Sequence, residues 1–348
     1  MKILFLGDFF YDYDNIQKDI NNISNYIRKN NLITILNLEG TICSNTSKSQ
    51  KKGVLLNMSN KYIEVLKKLN VKAVNIANNH IMDYKEEGLK NVINDLKNNN
   101  IKYFGAGLNL DDAKKPIVLD LDKKVALMGM GWNMEECINA TRKKAGVCPL
   151  DFKLLENQVN NTECDIFIPV LHFGYEYENL PQPYHLKECR KIKSNDKVKL
   201  IIGHHPHVVQ AYEDHIFYSL GNFYFGTTRN DFYNGNIKET NKGIGVIFDT
   251  TTFNTKTVEF RFDGKYSVVK EEVSSANFID ISNIETQNYT EYFYTYNKFK
   301  NKKYVYKIGF LNEKIFNNLK YYKRDLYKKY LRNIKWPLMK KIKKMVRR

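Results

Sequence analysis

Carboxylates, asparagines and histidines recur in this sequence at the places where short apolar runs end. Asp8 follows the run 3–6, and Asn37 and Glu39 close the run 33–38. The other side chains of this kind that follow apolar runs are Asn78, Asn79, His80, Asp83, His172, His204, His205 and His207. Because ligand sites in α/β sheets form at the carboxyl ends of the strands, we expect these side chains to gather at one edge.

The chemistry of this set favours a divalent metal. His205 and His207 are separated by one residue, so an extended turn can direct both rings at one point. Carboxylates and imidazoles together suit Mn, Fe or Zn better than Mg or Ca. A single histidine at a strand end is more often a structural hydrogen-bonding group. The combination with asparagines and two carboxylates instead predicts a site for one or two divalent ions.

The elements that must position these residues alternate along the chain, which predicts an α/β fold. The helical patterns cover 14–29, 59–69, 84–99, 150–161 and 181–194. Strands are predicted at 3–6, 33–38, 72–77, 117–121, 124–129, 165–171 and 198–202, and then in succession at 215–220, 244–249, 257–263 and 266–273.

The charge of the chain is concentrated at its C-terminal end. The 348 residues carry a net charge of +17, and residues 298–348 contain 19 Lys and Arg against 2 acids. The preceding residues contain 36 basic and 36 acidic side chains and are therefore neutral. This distribution argues against a uniformly basic groove for DNA and indicates a neutral body with a basic appendage.

The basic segment also has an apolar stripe at helical spacing. Its members are residues 315, 319, 322, 326, 330, 334, 338, 342 and 345, and Pro337 interrupts the pattern. A basic amphipathic helix suits an anionic membrane surface. Two alternatives stay open, namely that the stripe packs on the body or that the segment is a nucleic-acid arm. We expect membrane association and no nucleic-acid partner.

The compartment is predicted from the N-terminus and the cysteines. The apolar run that begins the chain is shorter than the roughly 7–15 residues of a signal-peptide core. The five cysteines are widely spaced and contain no C-x-x-C, which indicates reduced, mostly buried thiols. No apolar run approaches the roughly 20 residues of a membrane span. We therefore expect a cytoplasmic protein that is peripheral on the inner face of the plasma membrane.

Several segments resemble the bacterial capsule and poly-γ-glutamate synthesis (CapA-like) family, which is similar to the calcineurin-like metallophosphoesterases. The segments are GD at 7–8, NLEG at 37–40, ANNH at 77–80 with Asp83, LHFGYEY at 171–177, GHHPHVVQ at 203–210 and SLGNF at 219–223. The resemblance covers about residues 1–273. It implies a four-layer α/β/β/α sandwich over 1–275, after which we expect an irregular aromatic-rich connection at 276–311 and a basic amphipathic helical tail at 312–348.

The resemblance also implies roles for individual residues. His80 would be the catalytic residue that contacts the substrate and protonates the leaving group, and Glu39 would stand where related enzymes have a bridging carboxylate. The implied metal ligands are Asp8, Glu39, Asn79, His172, His205 and His207. The implied substrate-binding residues are Asn37, Glu176, His204 and Asn222, although His204 also suits a position behind the ligands or a ligand role.

The sequence departs from the metallophosphoesterase pattern at two positions. Asp8 is followed by Phe9 and Phe10 where those enzymes usually have Asp-x-His, and the second motif carries Asn37 and Glu39 in place of aspartate. One metal position therefore has fewer ligands, and two tightly held ions are not assumed. His185 and His215 match no ligand position and are interpreted as ordinary histidines.

Two functions from different classes fit this sequence. The first is a metal-dependent hydrolase, closest to a phosphoesterase, that acts on a cell-surface polymer or its precursor. The second is a non-catalytic accessory or scaffold protein of a capsule or poly-γ-glutamate synthesis and export complex. The two differ at His80, because only the hydrolase needs that side chain for turnover. A fold alone does not decide between them.

Overall fold

The computed structural model describes residues 1–11, 17–43, 54–133, 136–225, 240–262, 266–271 and 279–299. The predicted basic tail at 312–348 lies outside these residues. The chain forms two compact units, of which the first contains Met1–Pro181 and Glu188–Asn283. The second contains Gln182–Lys187 and the chain from Ile284.

The described residues form the following elements. The helices are α1 (Gln17–Lys29), α2 (Tyr62–Lys68), α3 (Lys85–Asn98), α4 (Leu110–Ala113), α5 (Phe152–Asn161), α6 (Pro183–Lys193) and α7 (Thr286–Phe299). The first strands are β1 (Lys2–Phe10), β2 (Leu32–Leu38), β3 (Val71–Asn75), β4 (Lys102–Phe104), β5 (Ala106–Gly107), β6 (Ile117–Asp120), β7 (Lys124–Gly131) and β8 (Gly146–Val147). The later strands are β9 (Ile166–His172), β10 (Ile201–His204), β11 (Tyr212–Glu213), β12 (Ile216–Phe217), β13 (Asn222–Phe225), β14 (Lys242–Asp249), β15 (Thr255–Phe262) and β16 (Tyr266–Glu271).

Most strands belong to two mixed sheets. The first has the order β16-β15-β14-β1-β2-β3-β4, and β13 pairs with β1 beside this path. Its strands β1 to β4 are parallel, whereas β14, β15 and β16 are joined by antiparallel pairs. The second has the order β11-β12-β10-β9-β7-β6, with β7, β9, β10 and β12 parallel. The parallel strands of each sheet therefore end at a common edge.

The two sheets pack face to face between helical layers, which gives the expected α/β/β/α sandwich. Ile3 and Phe5 of β1 face the second sheet and share a buried cluster with Leu127 of β7. The alternate residues Leu4 and Leu6 face the other way and belong to the cluster that contains the buried sides of α1, α2 and α3. Both faces of β1 are thus covered, so its core is a continuous apolar run.

The helices α5 and α6 approach each other through residues of the first unit. The buried side of α5 contains Leu155 and Val159. Its N-terminus is capped by Asp151, whose carboxylate accepts hydrogen bonds from two backbone N–H groups of the first turn. Lys191 of α6 forms an ion pair with Glu156 of α5, with 2.9 Å between Nζ and Oε2. This ion pair shows that the two helices lie side by side.

The predicted helices in the first 200 residues are confirmed to within three residues at each end. Their apolar spacing explains this, since α3 buries residues at positions i, i+3, i+4 and i+7, namely Leu89, Val92, Ile93 and Leu96. The sequence analysis missed the short strands β4, β5, β8, β11 and β13. Each has only two to four residues, too few to show a period.

One prediction about the second unit is wrong. The connection at 276–311 was expected to be irregular, but Thr286–Phe299 forms α7. Tyr289 and Phe293 are buried and lie one helical turn apart, with ring centroids 6.3 Å from each other. The aromatic residues of this segment therefore follow a helical period, and burial of one face stabilises the helix.

The described residues also bear on the compartment predictions. The five cysteines are free, and four of them are buried. In the described part of the chain, no helix has the length and apolar character needed to span a membrane.

Strand β1 is longer than predicted because it changes partner halfway along. Its first residues pair with β14, and Asp8, Phe9 and Phe10 pair with β13. A bulge at Gly7 accompanies the change, since the register with β2 shifts between Leu6 and Asp8. A Cβ atom on Gly7 would lie 2.0 Å from the carbonyl oxygen of Gly221. Glycine is therefore required here for the backbones to approach, and the bulge directs Asp8 into the site.

Replacement of this glycine should destabilise the protein. We expect Gly7→Ala to lower the free energy of unfolding by about 1–3 kcal/mol, because the added methyl group forces β1 away from Gly221. Lys2→Ala, on the exposed start of the same strand, is the matched control and should change stability by less than about 0.5 kcal/mol. Urea unfolding followed by circular dichroism measures both. Equal midpoints for the two variants would contradict the role assigned to Gly7.

Candidate metal centre

The predicted ligands come together where the carboxyl ends of the two sheets meet. Asp8 comes from β1 and Glu39 follows β2, both in the first sheet. His172 ends β9, while His205 and His207 follow β10 in the second sheet. All five side chains are buried, with at most 5% of their surface exposed. The sandwich therefore brings acids from one sheet against imidazoles from the other.

Glu39 lies between two groups of possible ligands. Its Oε1 atom is 4.0 Å from His172 Nε2 and 3.8 Å from His207 Nε2. One group consists of Glu39, His205 and His207, and the other of Asp8, Glu39 and His172. In each group the ligand atoms lie within 4.8 Å of one another. Small adjustments of these side chains place them around a divalent ion, since carboxylate and imidazole ligands bind such ions at about 2.0–2.2 Å. The donor set therefore fits a metal.

Asp8 is held by contacts on both of its carboxylate oxygens. Its Oδ1 atom accepts a hydrogen bond from Asn37 Nδ2 at 2.9 Å and lies 3.2 Å from His204 Nδ1. Its Oδ2 atom accepts one from the backbone N–H of His205 at 3.2 Å and lies 3.6 Å from His207 Nδ1. Oδ1 thus contacts Asn37 and His204, whereas Oδ2 contacts the loop that carries His205 and His207.

A chain of hydrogen bonds through Asn37 and Asn75 supports the carboxylates of Asp8 and Glu39. Asn37 Nδ2 also lies 3.3 Å from Glu39 Oε2, and Asn75 Nδ2 donates to Asn37 Oδ1 at 3.0 Å. Asn75 Oδ1 in turn accepts from the backbone N–H of Ala77 at 3.1 Å. A Cβ atom on Gly129 would lie 2.1 Å from Asn75 Oδ1, so glycine is needed at this position of β7. The sequence analysis missed Asn75, although an asparagine inside an apolar strand was a signal that could have found it.

Three of the predicted substrate-binding residues contact the acids and histidines of the cluster. Both amide ends of Asn37 are used by buried side chains, as described above. Asn222 Oδ1 lies 2.8 Å from His207 Nδ1, and Asn222 Nδ2 donates to the Thr240 carbonyl at 3.0 Å. His204 is 1% exposed and contacts Asp8. These contacts hold Asp8 and His207 in place, and the substrate-binding roles of the three residues stay predictions.

Asn79 and His80 follow β3 and lie in a turn that Asn78 stabilises. Asn79 Oδ1 is 3.0 Å from His172 Nε2, so the side chain of Asn79 contacts one of the predicted ligands. Asn78 Oδ1 accepts the backbone N–H groups of His80 and Ile81 at 3.1 and 2.9 Å. The ligand role of Asn79 stays a prediction.

His80 is paired with a carboxylate and remains partly exposed. Its Nδ1 atom lies 2.6 Å from Asp83 Oδ2, which also accepts the backbone N–H of Leu56 at 2.8 Å. The side chain of His80 is 12% exposed, whereas Asp83 is fully buried. A carboxylate beside Nδ1 favours the tautomer that carries its proton on Nδ1.

The local electrostatics favour metal binding. Burial lowers the pKa of His172 well below its usual value, and the charges of the neighbouring histidines lower it further. Burial also lowers the pKa of His207, although Asp8 partly opposes this. Burial would raise the pKa of Asp8, but the hydrogen bond and charge of His204 and the charge of His207 lower it overall. Ionised carboxylates and neutral imidazoles are the forms that bind metals.

The histidine loop carries backbone strain at two positions. His205 has φ of 98° and His207 has φ of 58°, values that non-glycine residues rarely adopt. Strain of this kind costs on the order of 1–3 kcal/mol per residue and clusters at functional sites. The other histidines behave as expected, since His185 is fully buried and His215 is only partly buried. Burial lowers the pKa of His185 to about 3.

The comparison with protein families identifies the chain. Residues 2–227 match the family model described as bacterial capsule synthesis protein PGA_cap. The chain belongs to this family. Asp8, Glu39, His172, His205 and His207 all lie within the matched residues.

Two curated relatives are similar over about half of this chain. The PGA biosynthesis protein CapA of Bacillus subtilis (strain 168) is 33% identical over 192 residues, or 52% of this chain and 50% of its own length. The capsule biosynthesis protein CapA of Bacillus anthracis is 30% identical over 191 residues, or 51% of this chain and 46% of its own length. The chain therefore spans about half the length of the curated relatives it matches.

Among solved structures, one similar chain is described as a novel phosphatase of Mycoplasma pneumoniae. It has 19% sequence identity and a TM-score of 0.48, and the match covers 80% of this chain and 98% of that one. A hypothetical protein from Thermus thermophilus has 15% identity and a TM-score of 0.42, covering 78% of this chain and 100% of the other.

Metal content tests the site directly. After incubation with Mn, Fe(II) or Zn and removal of the excess, we expect at least one equivalent per chain by inductively coupled plasma mass spectrometry. The double variant His205→Ala/His207→Ala should lose nearly all of it, because it removes two of the three ligands in one group. His215→Ala is the control, since His215 contacts Thr255 and lies outside the cluster. Equal metal content in the three proteins would show that the cluster does not bind metal.

Proposed function

We propose that this protein is a metal-dependent phosphoester hydrolase in the synthesis of a capsule or other cell-surface polymer. The observation that carries the proposal is the buried cluster of Asp8, Glu39, His172, His205 and His207 beside the partly exposed His80, which pairs with the buried Asp83. Membership in the capsule synthesis family supports the biological context. The Mn, Fe or Zn ion that the donor set suits would be held by these five side chains, with Asn79 as a further candidate ligand.

The metal and the residues have separate tasks in this proposal. When bound, a divalent ion activates water and stabilises negative charge on a phosphoryl oxygen. Asp8 and Glu39 would hold the divalent ion, and the asparagines that contact them keep the carboxylate oxygens oriented. The strained turn at His205 and His207 fixes both rings before substrate arrives, which avoids reorganisation during the reaction.

His80 is the proposed general acid. Asp83 accepts the Nδ1 proton of His80 and stabilises positive charge on the ring, so Nε2 can hold a proton for the leaving-group oxygen. Two features support a position of His80 beside the cluster. It follows Asn79, whose side chain contacts His172, and its charge acts on the pKa of His172. Its partial exposure provides access for a substrate.

Variants of this pair should separate catalysis from metal binding. We expect His80→Ala to lower kcat for a phosphodiester with an alkoxide leaving group by about 10²–10⁴-fold, with metal content and circular dichroism unchanged. Asp83→Asn should lower kcat less and shift the pH profile, because the ring loses its charged partner. His215→Ala should retain full activity.

The accessory-protein alternative gives the opposite outcome in cells. If His80→Ala leaves capsule formation intact in a strain whose only copy is the variant, the protein does not act by turnover. A metal-loaded wild-type protein without phosphoesterase activity on mono- and diester substrates would contradict the hydrolase in the same way.

We further propose that the basic tail holds the protein at the cytoplasmic face of the membrane, near a polymer precursor. The support is the sequence pattern at 312–348, whose Lys and Arg side chains each contribute about 1 kcal/mol near an anionic leaflet. The full chain should sediment with vesicles containing phosphatidylglycerol and not with neutral phosphatidylcholine vesicles, and deletion of 312–348 should abolish this binding. Binding to duplex DNA instead of vesicles at about 150 mM salt would favour the nucleic-acid arm.

A further inference from the structure

Aromatic and acidic side chains form a partly exposed rim beside the buried metal centre. We define the rim as Trp132, Tyr175, Glu176 and Tyr177. Trp132 directly follows β7, and the other three follow β9, so all four lie at the strand ends that carry the ligands. Trp132, Glu176 and Tyr177 are partly exposed, in contrast to the buried cluster. The rim is therefore the more exposed part of this end of the sheets.

The rim is anchored to segments that carry the ligands. The backbone N–H of Trp132 donates to the carbonyl of His172 at 2.9 Å, and the backbone N–H of Tyr177 donates to the carbonyl of Pro206 at 2.8 Å. The ring of Trp132 lies 5.3 Å from that of Tyr175, tilted by 56°. The ring of Tyr177 lies 6.4 Å from that of His207. These attachments fix the position of the rim relative to the centre.

The polar groups of the rim suit hydroxyl groups. The Glu176 carboxylate can accept hydrogen bonds, and it acts electrostatically on both Tyr177 and His207. The phenol of Tyr177 can donate a hydrogen bond. The rim thus combines an acceptor, a donor and an aromatic surface.

We propose that the rim binds a neutral hexopyranose ring of a glycan whose phosphoester lies at the metal centre. This inference rests on the proposed function and names its substrate class. The C–H face of a pyranose packs on an aromatic ring, while its hydroxyls bond to Glu176 and Tyr177. A poly-γ-glutamate chain fits less well, because its carboxylates would meet the negative charge of Glu176 at the entrance.

A polymer array tests the proposal with the full-length, metal-loaded protein. The array carries neutral hexopyranose oligosaccharides, acidic polysaccharides and poly-γ-glutamate. We expect retention on neutral oligosaccharides at least tenfold above that on poly-γ-glutamate. Trp132→Ala should weaken the retention by about five- to tenfold, the loss expected for one aromatic contact. Trp132→Phe should preserve most of it, and Tyr184→Ala, at an exposed tyrosine of α6, should leave it unchanged.

A second measurement reports on the rim itself. The chain has two tryptophans, so Trp336→Phe leaves Trp132 as the single fluorescent indole. Titration with an oligosaccharide retained on the array should shift its emission, and Glu176→Gln should weaken the titration. Preference for poly-γ-glutamate, absence of any retained neutral oligosaccharide, or full retention by Trp132→Ala would overturn the proposal.

The same samples distinguish this failure from failure of the proposed function. Metal content and hydrolysis of bis(p-nitrophenyl) phosphate are measured in parallel. If the protein binds metal and hydrolyses the diester but does not prefer neutral glycans, only the rim proposal is overturned. If it holds metal without hydrolysis, the hydrolase is overturned, and retention on the array still reports on the rim.

Discussion

Two carboxylates, Asp8 and Glu39, are buried where the sheets of the sandwich meet, and much of the surrounding structure compensates for their burial. An isolated buried carboxylate is costly unless it is paired and hydrogen-bonded. Here the compensation comes from Asn37, from the imidazoles of the second sheet and from a backbone N–H of the histidine loop. Because the acids and imidazoles come from different sheets, packing of the sandwich and assembly of the centre depend on each other.

This constraint also explains the unusual backbone of the region. The bulge at Gly7 allows β1 to exchange β14 for β13, and β13 carries the asparagine that contacts His207. The positive φ angles of His205 and His207 provide the turn that returns their rings toward the acids. The strain is tolerated because contacts on several sides fix the loop, including those from Asp8 and Asn222.

The site divides into parts with different exposure. The ligand cluster is rigidly supported and buried, whereas His80 and the aromatic rim are partly exposed at the same strand ends. This arrangement suits a centre that binds a small reactive group inside and selects the attached molecule outside. The family supplies the context of capsule synthesis.

The sequence alone determined the alternation of helices and strands and the set of residues at the strand ends, because apolar periodicity and local position are encoded in neighbouring residues. It therefore predicted the sandwich, the clustering of the ligands and the longer helices of the first unit, although it missed the four-residue helix α4. It did not determine which polar residues face a ligand and which face a substrate. Asn37, His204 and Asn222 contact Asp8 or His207, which are distant from them in sequence. Likewise, the roles of Asn75, of the bulge at Gly7 and of Trp132 depend on contacts across the two sheets, which only the tertiary structure decides.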